Sequence, residues 1–277
     1  MVSSRPLHDA PNRSYAGKLE RFGRFVAPEL RSLFSGFGVA PRSRVLDVGC
    51  GVAFATRLLS ELLGPQAQVV GVDLSLPHLL SAVETRGIDL VQADAARLCF
   101  RDGSFDLIWS CNTVNHLGDP LAALRAMRAA LRPGGRLALA QSGFLPEMYF
   151  AWDAPLDEAV RRACHEYYRE RYGLKLQDTA RVRGLLGLLQ RAGLQAARTR
   201  TVVVERMQPL TEADRAYFEE TVFRGTWGER LRPFLTDAEW FALQRNTDPA
   251  SDDYCLDRED FHHIQTLTVC VGQGSMT

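Results

Sequence analysis

Between residues 43 and 142, short apolar runs alternate with segments of helical periodicity, and this alternation constrains the fold more than any other feature. Strand–helix–strand repeats at this spacing favour parallel strands joined by crossover helices. We therefore predict an α/β protein with a doubly wound sheet, whose ligand lies beyond the carboxyl ends of the strands at the switch point. The predicted strands are Arg44–Gly49, Gln68–Asp73, Ile88–Val91, Phe105–Ser110 and Arg136–Ala140.

The rest of the chain is organised around this core. Residues 1–40 are predicted to be N-terminal helices that cover the ligand edge of the sheet, and residues 41–142 form the ligand-binding core. Residues 143–277 complete the sheet with strands at Thr199–Val204 and Phe261–Val271. This last region carries two helical insertions, at 143–178 and 208–258, which we interpret as lids.

Composition excludes several classes of partner. The 277 residues contain 33 Lys+Arg and 33 Asp+Glu, so no global basic field attracts nucleic acid or an anionic membrane. No apolar stretch approaches the roughly 20 residues that span a bilayer. The six cysteines form no Cys-x-x-Cys pair, and His262-His263 has no third ligand at metal spacing. We expect a cytoplasmic protein without a metal, present as a monomer or homodimer.

The stretch Val45-Leu-Asp-Val-Gly-Cys-Gly51 carries the most information about the ligand. Its two glycines allow a tight turn and a close backbone approach to a ligand. Asp47 lies where a pyrophosphate would have to bind, and a carboxylate close to a dianion is repulsive. The third glycine of the dinucleotide fingerprint is absent as well. A nicotinamide dehydrogenase is therefore disfavoured, and a cationic ligand without phosphate is favoured.

Two further acids follow the next two strands. Asp73 closes the second strand, 22 residues after Gly51, at the position where an acid hydrogen-bonds a ribose diol. Asp94 follows the third strand, where an acid can accept a hydrogen bond from the exocyclic amine of adenine. A turn aspartate is nearly as good an interpretation of Asp94. Together the three acids describe a positively charged adenosine ligand.

At these residues the sequence resembles the class I S-adenosylmethionine-dependent methyltransferases, most closely the ubiquinone/menaquinone-biosynthesis type of small-molecule enzyme. The resemblance covers residues 40–142 and departs from the family pattern at Val52-Ala53 and at Ala93. The matching motifs are Val45-Leu-Asp-Val-Gly-Cys-Gly51, Gly71-Val-Asp-Leu-Ser75, Ala93-Asp-Ala95, Phe105-Asp-Leu-Ile-Trp-Ser110 and Leu131-Arg-Pro-Gly-Gly-Arg136.

The resemblance implies S-adenosylmethionine as cofactor and a seven-stranded sheet whose last two strands, near 197–204 and 261–271, form an antiparallel hairpin. Asp47 and the glycine loop would hold the methionine moiety, Asp73 the ribose, and Asp94 and Ala95 the adenine. The thiol of Cys50 is interpreted as packing within the loop. The cofactor-binding residues implied are Asp47, Gly49, Cys50, Gly51, Asp73, Leu74, Asp94, Ala95 and Asn112.

Two residues after the fourth strand are candidates for the reacting end of the site. Related enzymes contact the methionine end of the cofactor at the start of this segment, which selects Asn112. His116 occupies the position where many relatives have a histidine near the transferred methyl group. It is either a general base that removes a hydroxyl proton or a histidine that positions the following helix.

Aromatic residues in the first insertion are candidates for the acceptor pocket. They either line a hydrophobic pocket and surround a cation through cation–π contacts, or form the core of the lid itself. Both roles are compatible, because the inner face of a lid is also a pocket wall. The candidates are Tyr149, Trp152 and Tyr168.

The sequence thus predicts an enzyme that transfers a methyl group from S-adenosylmethionine to a small acceptor. We expect an oxygen or nitrogen acceptor on an apolar or aromatic metabolite, such as a natural product or a quinone-like compound. Two alternatives keep the cofactor. One is an enzyme of this fold that uses the sulfonium for cyclisation or decarboxylation, and the other is a non-catalytic protein that only binds the cofactor.

Overall fold

The predicted parallel strands form the centre of a mixed sheet in the computed structural model of the protein. The structure describes residues 13–82, 87–142, 148–150, 152–172 and 184–275. Predictions that concern residues 1–12, 143–147 and 173–183 lie outside the described residues. The chain divides into two units: unit 1 is Met1–Gln141, Arg181–Thr201 and Thr268–Thr277, and unit 2 is Ser142–Ala180 and Val202–Leu267.

Up to the fifth strand, helices and strands follow the order that the sequence pattern predicts. Local signals explain the helix starts: Asp119 accepts a 2.9 Å hydrogen bond from Ala122 N–H, and Pro120 occupies the first turn. The elements are α1 (Arg13–Phe25), α2 (Ala27–Gly36), β1 (Arg44–Val48), α3 (Phe54–Leu63), β2 (Gln68–Asp73), α4 (Leu76–Leu80), β3 (Asp89–Gln92), β4 (Phe105–Cys111), a 3₁₀ turn (Val114–His116), α5 (Pro120–Ala130) and β5 (Leu131–Ser142).

The second half of the chain contains the remaining strands and most of the irregular helices. None of the described helices has the length and apolar character that a membrane crossing requires. The elements are β6 (Tyr149–Phe150), α6 (Ala154–Tyr172), α7 (Leu185–Arg191), β7 (Gln195–Met207), α8 (Glu212–Ala216), a π-helix (Tyr217–Trp227), α9 (Gly228–Leu231), a 3₁₀ turn (Arg232–Phe234), α10 (Asp237–Thr247), a 3₁₀ turn (Cys255–Asp257) and β8 (His262–Gln273).

The sheet has the predicted doubly wound topology. Its strand order is β3-β2-β1-β4-β5-β8, and β7 also pairs with β8. The first five strands are parallel. The last two form the predicted antiparallel hairpin, because Thr199 lies opposite Cys270 while Thr201 lies opposite Thr268. Since β1 lies between β2 and β4, the chain changes direction across the sheet at this point, which is where such folds bind ligands.

The core of unit 1 has helices on both faces of the sheet. On one face, Leu46 of β1 and Ile108 of β4 belong to a cluster of fully buried side chains that includes Leu124 and Met127 of α5. Trp109, the next residue on β4, is also fully buried, and its ring meets Phe34 of α2 edge-to-face at 4.9 Å. Strands buried on both faces are near-continuous apolar runs, which is why the sequence pattern located them.

Unit 2 contains a strand that the sequence pattern did not predict. The two-residue strand β6 pairs antiparallel with the first half of β8, Tyr149 with Ile264 and Phe150 with His263. The buried ring of Phe150 lies 5.5 Å from Trp227 and 5.6 Å from Phe218, in edge-to-face geometry. Both partners belong to the π-helix, so an aromatic cluster stabilises this irregular segment.

Gly135 of β5 lies too close to backbone atoms for a side chain to fit without strain. A Cβ built there would lie 2.9 Å from the carbonyl oxygens of both Arg132 and Phe105, and backbone atoms cannot move aside cheaply. We expect Gly135→Ala to lower the free energy of unfolding by about 2 kcal/mol in urea titrations. The matched control is Gly36→Ala, because nothing lies within 4 Å of that position. Equal stability of G135A and G36A would contradict this prediction.

Candidate cofactor-binding site

The turns after β1, β2 and β4 are joined by hydrogen bonds at the carboxyl edge of the sheet. Val72 of β2 accepts from the N–H groups of Gly49 and Cys50 at 2.7 and 3.0 Å. Val48 of β1 accepts from the hydroxyl of Ser110 at 2.8 Å. The glycine loop after β1 is therefore held by its two neighbouring strands, and the predicted site residues of these turns lie along one edge.

The glycine loop has left-handed backbone at both glycines, with φ of +75° at Gly49 and +55° at Gly51. A Cβ at Gly49 would lie 2.1 Å from the hydroxyl of Thr113, so only glycine fits there. The N–H of Gly51 donates to Asp73 Oδ2 at 2.8 Å. Three successive loop N–H groups thus donate within the protein, so they are not available to cradle a pyrophosphate as a phosphate-binding loop does.

Asp47 is buried beneath this loop, with 2% of its surface exposed. The hydroxyl of Thr56, in the first turn of α3, donates to Asp47 Oδ2 at 2.7 Å. Burial raises the pKa of Asp47 to about 7, and the negative charge of Asp73 acts in the same direction, while the Thr56 hydrogen bond opposes them. Near neutral pH this carboxyl group is therefore partly protonated and partly charged, and a nearby cation would favour its charged form.

Asp73 is the acid that carries charge. Its Oδ1 accepts from Ser75 N–H at 2.8 Å and lies 3.9 Å from Nδ1 of His78. Burial alone would raise the pKa of Asp73, but the nearby imidazole of His78 and hydrogen bonds from Ser75 and Gly51 outweigh it and leave the pKa below its ordinary value. A fixed carboxylate at the tip of β2 is suited to accept hydrogen bonds from ribose hydroxyls.

The residues after these acids differ in exposure. Leu74 directly follows Asp73 and is 66% exposed, which is unusual for a leucine. Ala95 is buried, whereas its neighbour Asp94 is exposed and accepts from Ala96 N–H at 2.8 Å. Asp94 therefore closes a local turn with one oxygen, as the turn interpretation requires. Its role toward adenine stays a prediction.

Asn112 directly follows β4 and has a left-handed backbone, with φ of +54°. Its N–H donates to Ala140 O at 2.9 Å, and its Oδ1 accepts from Nε2 of Gln141 at 2.8 Å. His116 ends the 3₁₀ turn that follows, where its N–H donates to Thr113 O, and its side chain is exposed. The structure places both residues on the segment between β4 and α5, as predicted.

Helix α1 packs directly on the glycine loop and the start of α3. A Cβ at Gly51 would lie 2.9 Å from Leu19, and one at Gly23 would lie 2.3 Å from the ring of Phe54. Arg57 of α3 joins the two segments, because its guanidinium pairs with Glu20 at 2.7 Å and donates to Val52 O at 2.7 Å. The N-terminal part of the chain thus contacts the loop that the sequence analysis selected.

Comparison with known proteins agrees with this geometry. Residues 46–139 match the family model described as "Methyltransferase domain". Over 91 residues the chain is 40% identical to a malonyl-[acyl-carrier protein] O-methyltransferase of Pseudescherichia vulneris, a match that covers 32% of this chain and 36% of the relative. It is 38% identical over 92 residues to the ubiquinone/menaquinone biosynthesis C-methyltransferase UbiE of Pseudomonas savastanoi pv. phaseolicola, covering 30% and 35%.

Solved structures show the same fold along most of the chain. A candidate methyltransferase of Bacillus halodurans C-125 superimposes with a TM-score of 0.53 at 16% identity, covering 90% of this chain and all of the other. Phosphoethanolamine N-methyltransferase 2 of Haemonchus contortus, solved with S-adenosylhomocysteine, gives 0.51 at 19% identity, covering 90% and 52%.

Residues 46–139 therefore match the cofactor-binding domain of class I S-adenosylmethionine-dependent methyltransferases. This match supports S-adenosylmethionine as the cofactor and agrees with the fold predicted from the motifs. The chain spans only about a third of the length of the curated relatives it matches, and that third is the cofactor-binding segment. The relatives therefore inform on the cofactor-binding segment of this protein more than on its acceptor.

The predicted acceptor residues all lie in unit 2. Trp152 packs against Phe150 and Trp227, with ring centroids 4.7 and 5.6 Å apart, and Tyr168 lies on α6 beside Tyr167. Tyr149 belongs to β6. The two described side chains contact other aromatic residues, as the lid-core interpretation requires. Their part in a pocket stays a prediction.

Both cysteine thiols near the candidate site have raised pKa values. Burial raises the pKa of Cys50 far above its ordinary value, and the charges of Asp47 and Asp73 add to this effect. Burial raises the pKa of Cys111 to about 12. Among the residues that the structure describes, no group of three His, Cys, Asp or Glu could hold a metal ion.

Sequence reasoning missed four residues that hold the candidate site residues in place. Thr56 supports Asp47, His78 faces Asp73, and Gln141 bonds Asn112. Thr113 fills the space above Gly49. Only Thr56 gave a signal in the sequence. It is a polar residue on the inward face of an otherwise apolar helix turn, which indicates a buried polar partner. The other three contacts join residues on separate elements, so no periodic pattern marks them.

The buried carboxyl group of Asp47 makes a pH-dependent prediction. Its pKa of about 7 in the folded protein exceeds its ordinary value of 3.8, so its contribution to stability is present at low pH and is lost as pH rises through 7. We expect the free energy of unfolding of Asp47→Asn, relative to wild type, to increase by about 3 kcal/mol between pH 4 and pH 8.

Urea denaturation at a series of pH values measures this difference directly. Glu61→Gln is the control, because it changes an exposed carboxylate on α3, the helix whose Thr56 contacts Asp47. A D47N difference that does not vary with pH would show that Asp47 is charged throughout this range.

Proposed function

We propose that this protein transfers the methyl group of S-adenosylmethionine to an oxygen or nitrogen atom of a small apolar or aromatic acceptor. The observation that carries the proposal is the glycine loop. Its N–H groups at Gly49, Cys50 and Gly51 donate within the protein, and its partner Asp73 holds a negative charge. Such a loop suits a cationic nucleoside and disfavours a phosphate.

The residues present fit this cofactor by their chemistry. Asp73 provides a fixed acceptor for hydroxyl groups, and the exposed Leu74 beside it provides an apolar surface for a flat base. Asp47 provides a carboxyl group that becomes charged near neutral pH. An ammonium or sulfonium group close to Asp47 would stabilise the charged form and recover part of the free energy that its burial costs.

When bound, the cofactor supplies a methyl group already activated by the sulfonium. The chain's own residues therefore have to align the acceptor and exclude water. A neutral amine acceptor can react without a residue that removes a proton from it first. An oxygen acceptor needs a residue that removes its proton, and His116 is the candidate because its side chain is exposed at the end of the segment that begins with Asn112.

The acceptor class rests on weaker support than the cofactor. The two relatives are named for O-methylation of a malonyl carrier and C-methylation in quinone biosynthesis, and they match only the cofactor half of this chain. Aromatic side chains such as Trp152 and Tyr168 would suit an apolar or aromatic acceptor. We place the reaction in the cytoplasm, because all six cysteines are free thiols.

Calorimetric titration with S-adenosylmethionine, S-adenosylhomocysteine and NAD tests the cofactor, and we expect binding of the first two only. Incubation with a library of small phenols, quinones and amines then tests the reaction by product mass. A gain of one methyl group together with release of S-adenosylhomocysteine supports transfer. A changed product without methyl gain supports a rearrangement enzyme, and binding without any turnover supports a non-catalytic binding protein.

Asp73→Asn tests the nucleoside site. The amide keeps the shape of Asp73 but removes the charge and replaces an acceptor oxygen by a donor. We expect the Kd for S-adenosylhomocysteine to rise at least about tenfold, since hydrogen bonds to charged groups contribute about 1.5–3 kcal/mol. Asp94→Asn is the comparison, because Asn keeps the turn that Asp94 forms with Ala96. An unchanged Kd for D73N would remove Asp73 from the site.

His116→Ala separates its two interpretations. If the imidazole removes a hydroxyl proton, kcat with a phenolic acceptor falls by about a hundredfold. The KM for S-adenosylmethionine then stays within about twofold, because a general base acts in the transition state. His116→Gln, which keeps hydrogen bonding without basicity, serves as control. Full activity of H116Q would support the positioning role instead.

A further inference from the structure

The hydroxyl of Thr56 is a side-chain partner of the buried acid Asp47. Thr56 has no exposed surface, Asp47 is 2% exposed, and the hydroxyl donates to Asp47 Oδ2 at 2.7 Å. The same hydroxyl lies over Gly71 of β2, because a Cβ built at Gly71 would be 3.1 Å from it. Since both partners are buried, water does not compete for this hydrogen bond.

The titratable groups that surround Asp47 on β2, on β4 and in the glycine loop do not favour its charged form. Among the described residues, the charge that acts on Asp47 is the negative charge of Asp73, which has His78 Nδ1 3.9 Å from its Oδ1. Cys50 and Cys111 are neutral, because burial raises the pKa of both thiols. The negative charge of Asp47 is therefore opposed from the strands and the loop.

Arg57, the neighbour of Thr56 on α3, is committed to other partners. Its guanidinium pairs with Glu20 of α1 at 2.7 Å and donates to Val52 O at 2.7 Å. Hydrogen bonds from Thr56 thus favour the charged form of Asp47, against burial and Asp73. The balance raises the pKa of Asp47 to about 7, so its carboxyl group is about half charged at neutral pH.

We propose that cofactor binding drives a proton from Asp47 into the solvent, and that Thr56 is the positioning residue that sets the pH range of this exchange. The inference rests on the proposed function, which brings a cationic ligand close to Asp47. An opposite charge within about 4–6 Å favours the ionised form of an acid. The buffer takes up the proton, and Asp47 recovers one when the product leaves, because S-adenosylhomocysteine keeps the ammonium group.

The affinity for a cationic ligand should therefore depend on pH. Below pH 7 the ligand has to displace a proton from Asp47, so the affinity rises with pH until the acid is charged without ligand. We expect the Kd for S-adenosylhomocysteine to fall about tenfold from pH 6 to pH 8 and then to level off.

The contribution of Thr56 follows from the two forms of its hydrogen bond. A hydroxyl can donate or accept, so it can bond both forms of Asp47, but its bond to the carboxylate is the stronger one. Loss of the hydroxyl should therefore raise the pKa of Asp47 further and move the pH dependence of binding upward.

Calorimetry in two buffers of different ionisation enthalpy counts the protons that binding releases. The two probes are S-adenosylhomocysteine and 5′-methylthioadenosine, which keeps the nucleoside and the sulfur but has no ammonium group. At pH 7 we expect about 0.5 proton to be released per S-adenosylhomocysteine and none per methylthioadenosine. Equal release with both probes would contradict the inference, because a cation would then not be the cause.

Three variants assign the proton and the role of the hydroxyl. Asp47→Asn should release no proton, and its Kd should agree within about twofold at pH 6 and pH 8. In Thr56→Val we expect the midpoint of the Kd profile to rise by about one pH unit. Its Kd is then about fivefold above wild type at pH 7 and within about twofold at pH 8.5. Thr56→Ser keeps the hydroxyl and should restore the wild-type midpoint.

Ser110→Ala is the matched control for Thr56→Val. It also removes a buried hydroxyl at the carboxyl edge of the sheet, but this hydroxyl donates to the carbonyl of Val48 and not to an acid. Its midpoint should stay at the wild-type pH, whatever happens to its affinity. If T56V does not fold, the proton count of wild type and of D47N still decides whether Asp47 exchanges the proton.

The outcomes separate the inference from the proposed function. Binding of S-adenosylhomocysteine without proton release at pH 7, or with equal release in D47N, would show that Asp47 does not exchange the proton. An unshifted midpoint in T56V would show that Thr56 merely supports the fold. Each of these results overturns the inference and leaves the proposed function standing. Failure of the wild-type protein to bind S-adenosylhomocysteine would overturn both.

Discussion

The hydrogen bond from Gly51 N–H to Asp73 Oδ2 is the interaction on which the site depends. It joins the glycine loop after β1 to the acid that ends β2, and it helps to keep the pKa of that acid low despite burial. With the bonds from Gly49 and Cys50 to Val72 it also uses up the loop donors that a phosphate would need. One short contact thus holds the loop in place and favours the charged form of Asp73.

The sequence predicted the structure best at buried strands that carry an acid at or near their carboxyl end. Strands such as Phe105–Cys111 are buried on both faces, so their apolar runs stand out, and Asp47 and Asp73 mark the strand ends. The strand β6 was missed because two residues carry no periodicity. The π-helix was predicted only as part of a helical insertion, since its buried aromatic residues do not distinguish it from an ordinary helix.

Side-chain partnerships were beyond the reach of sequence patterns for a different reason. Thr56 reaches Asp47 across nine residues, and Gln141 reaches Asn112 across 29, because the fold brings separate elements together. Asp94 illustrates the opposite case: its position fits a family motif, but one of its oxygens closes a local turn. A motif position predicts which residues lie near a ligand. The hydrogen-bond partners of each side chain decide which of its donors and acceptors remain for that ligand.

Unfavourable features accumulate where the ligand is expected. Among the described residues, three other than glycine have positive φ, and two of them, Ala53 and Asn112, lie in the turns after β1 and β4. Asp47 adds a carboxyl group whose burial raises its pKa, so part of the folding free energy is spent on keeping it there. Strained backbone and a buried acid persist together only if another requirement outweighs their cost. Under the proposed function, a cationic ligand beside Asp47 would meet that requirement, because it would pair the charge of the buried acid.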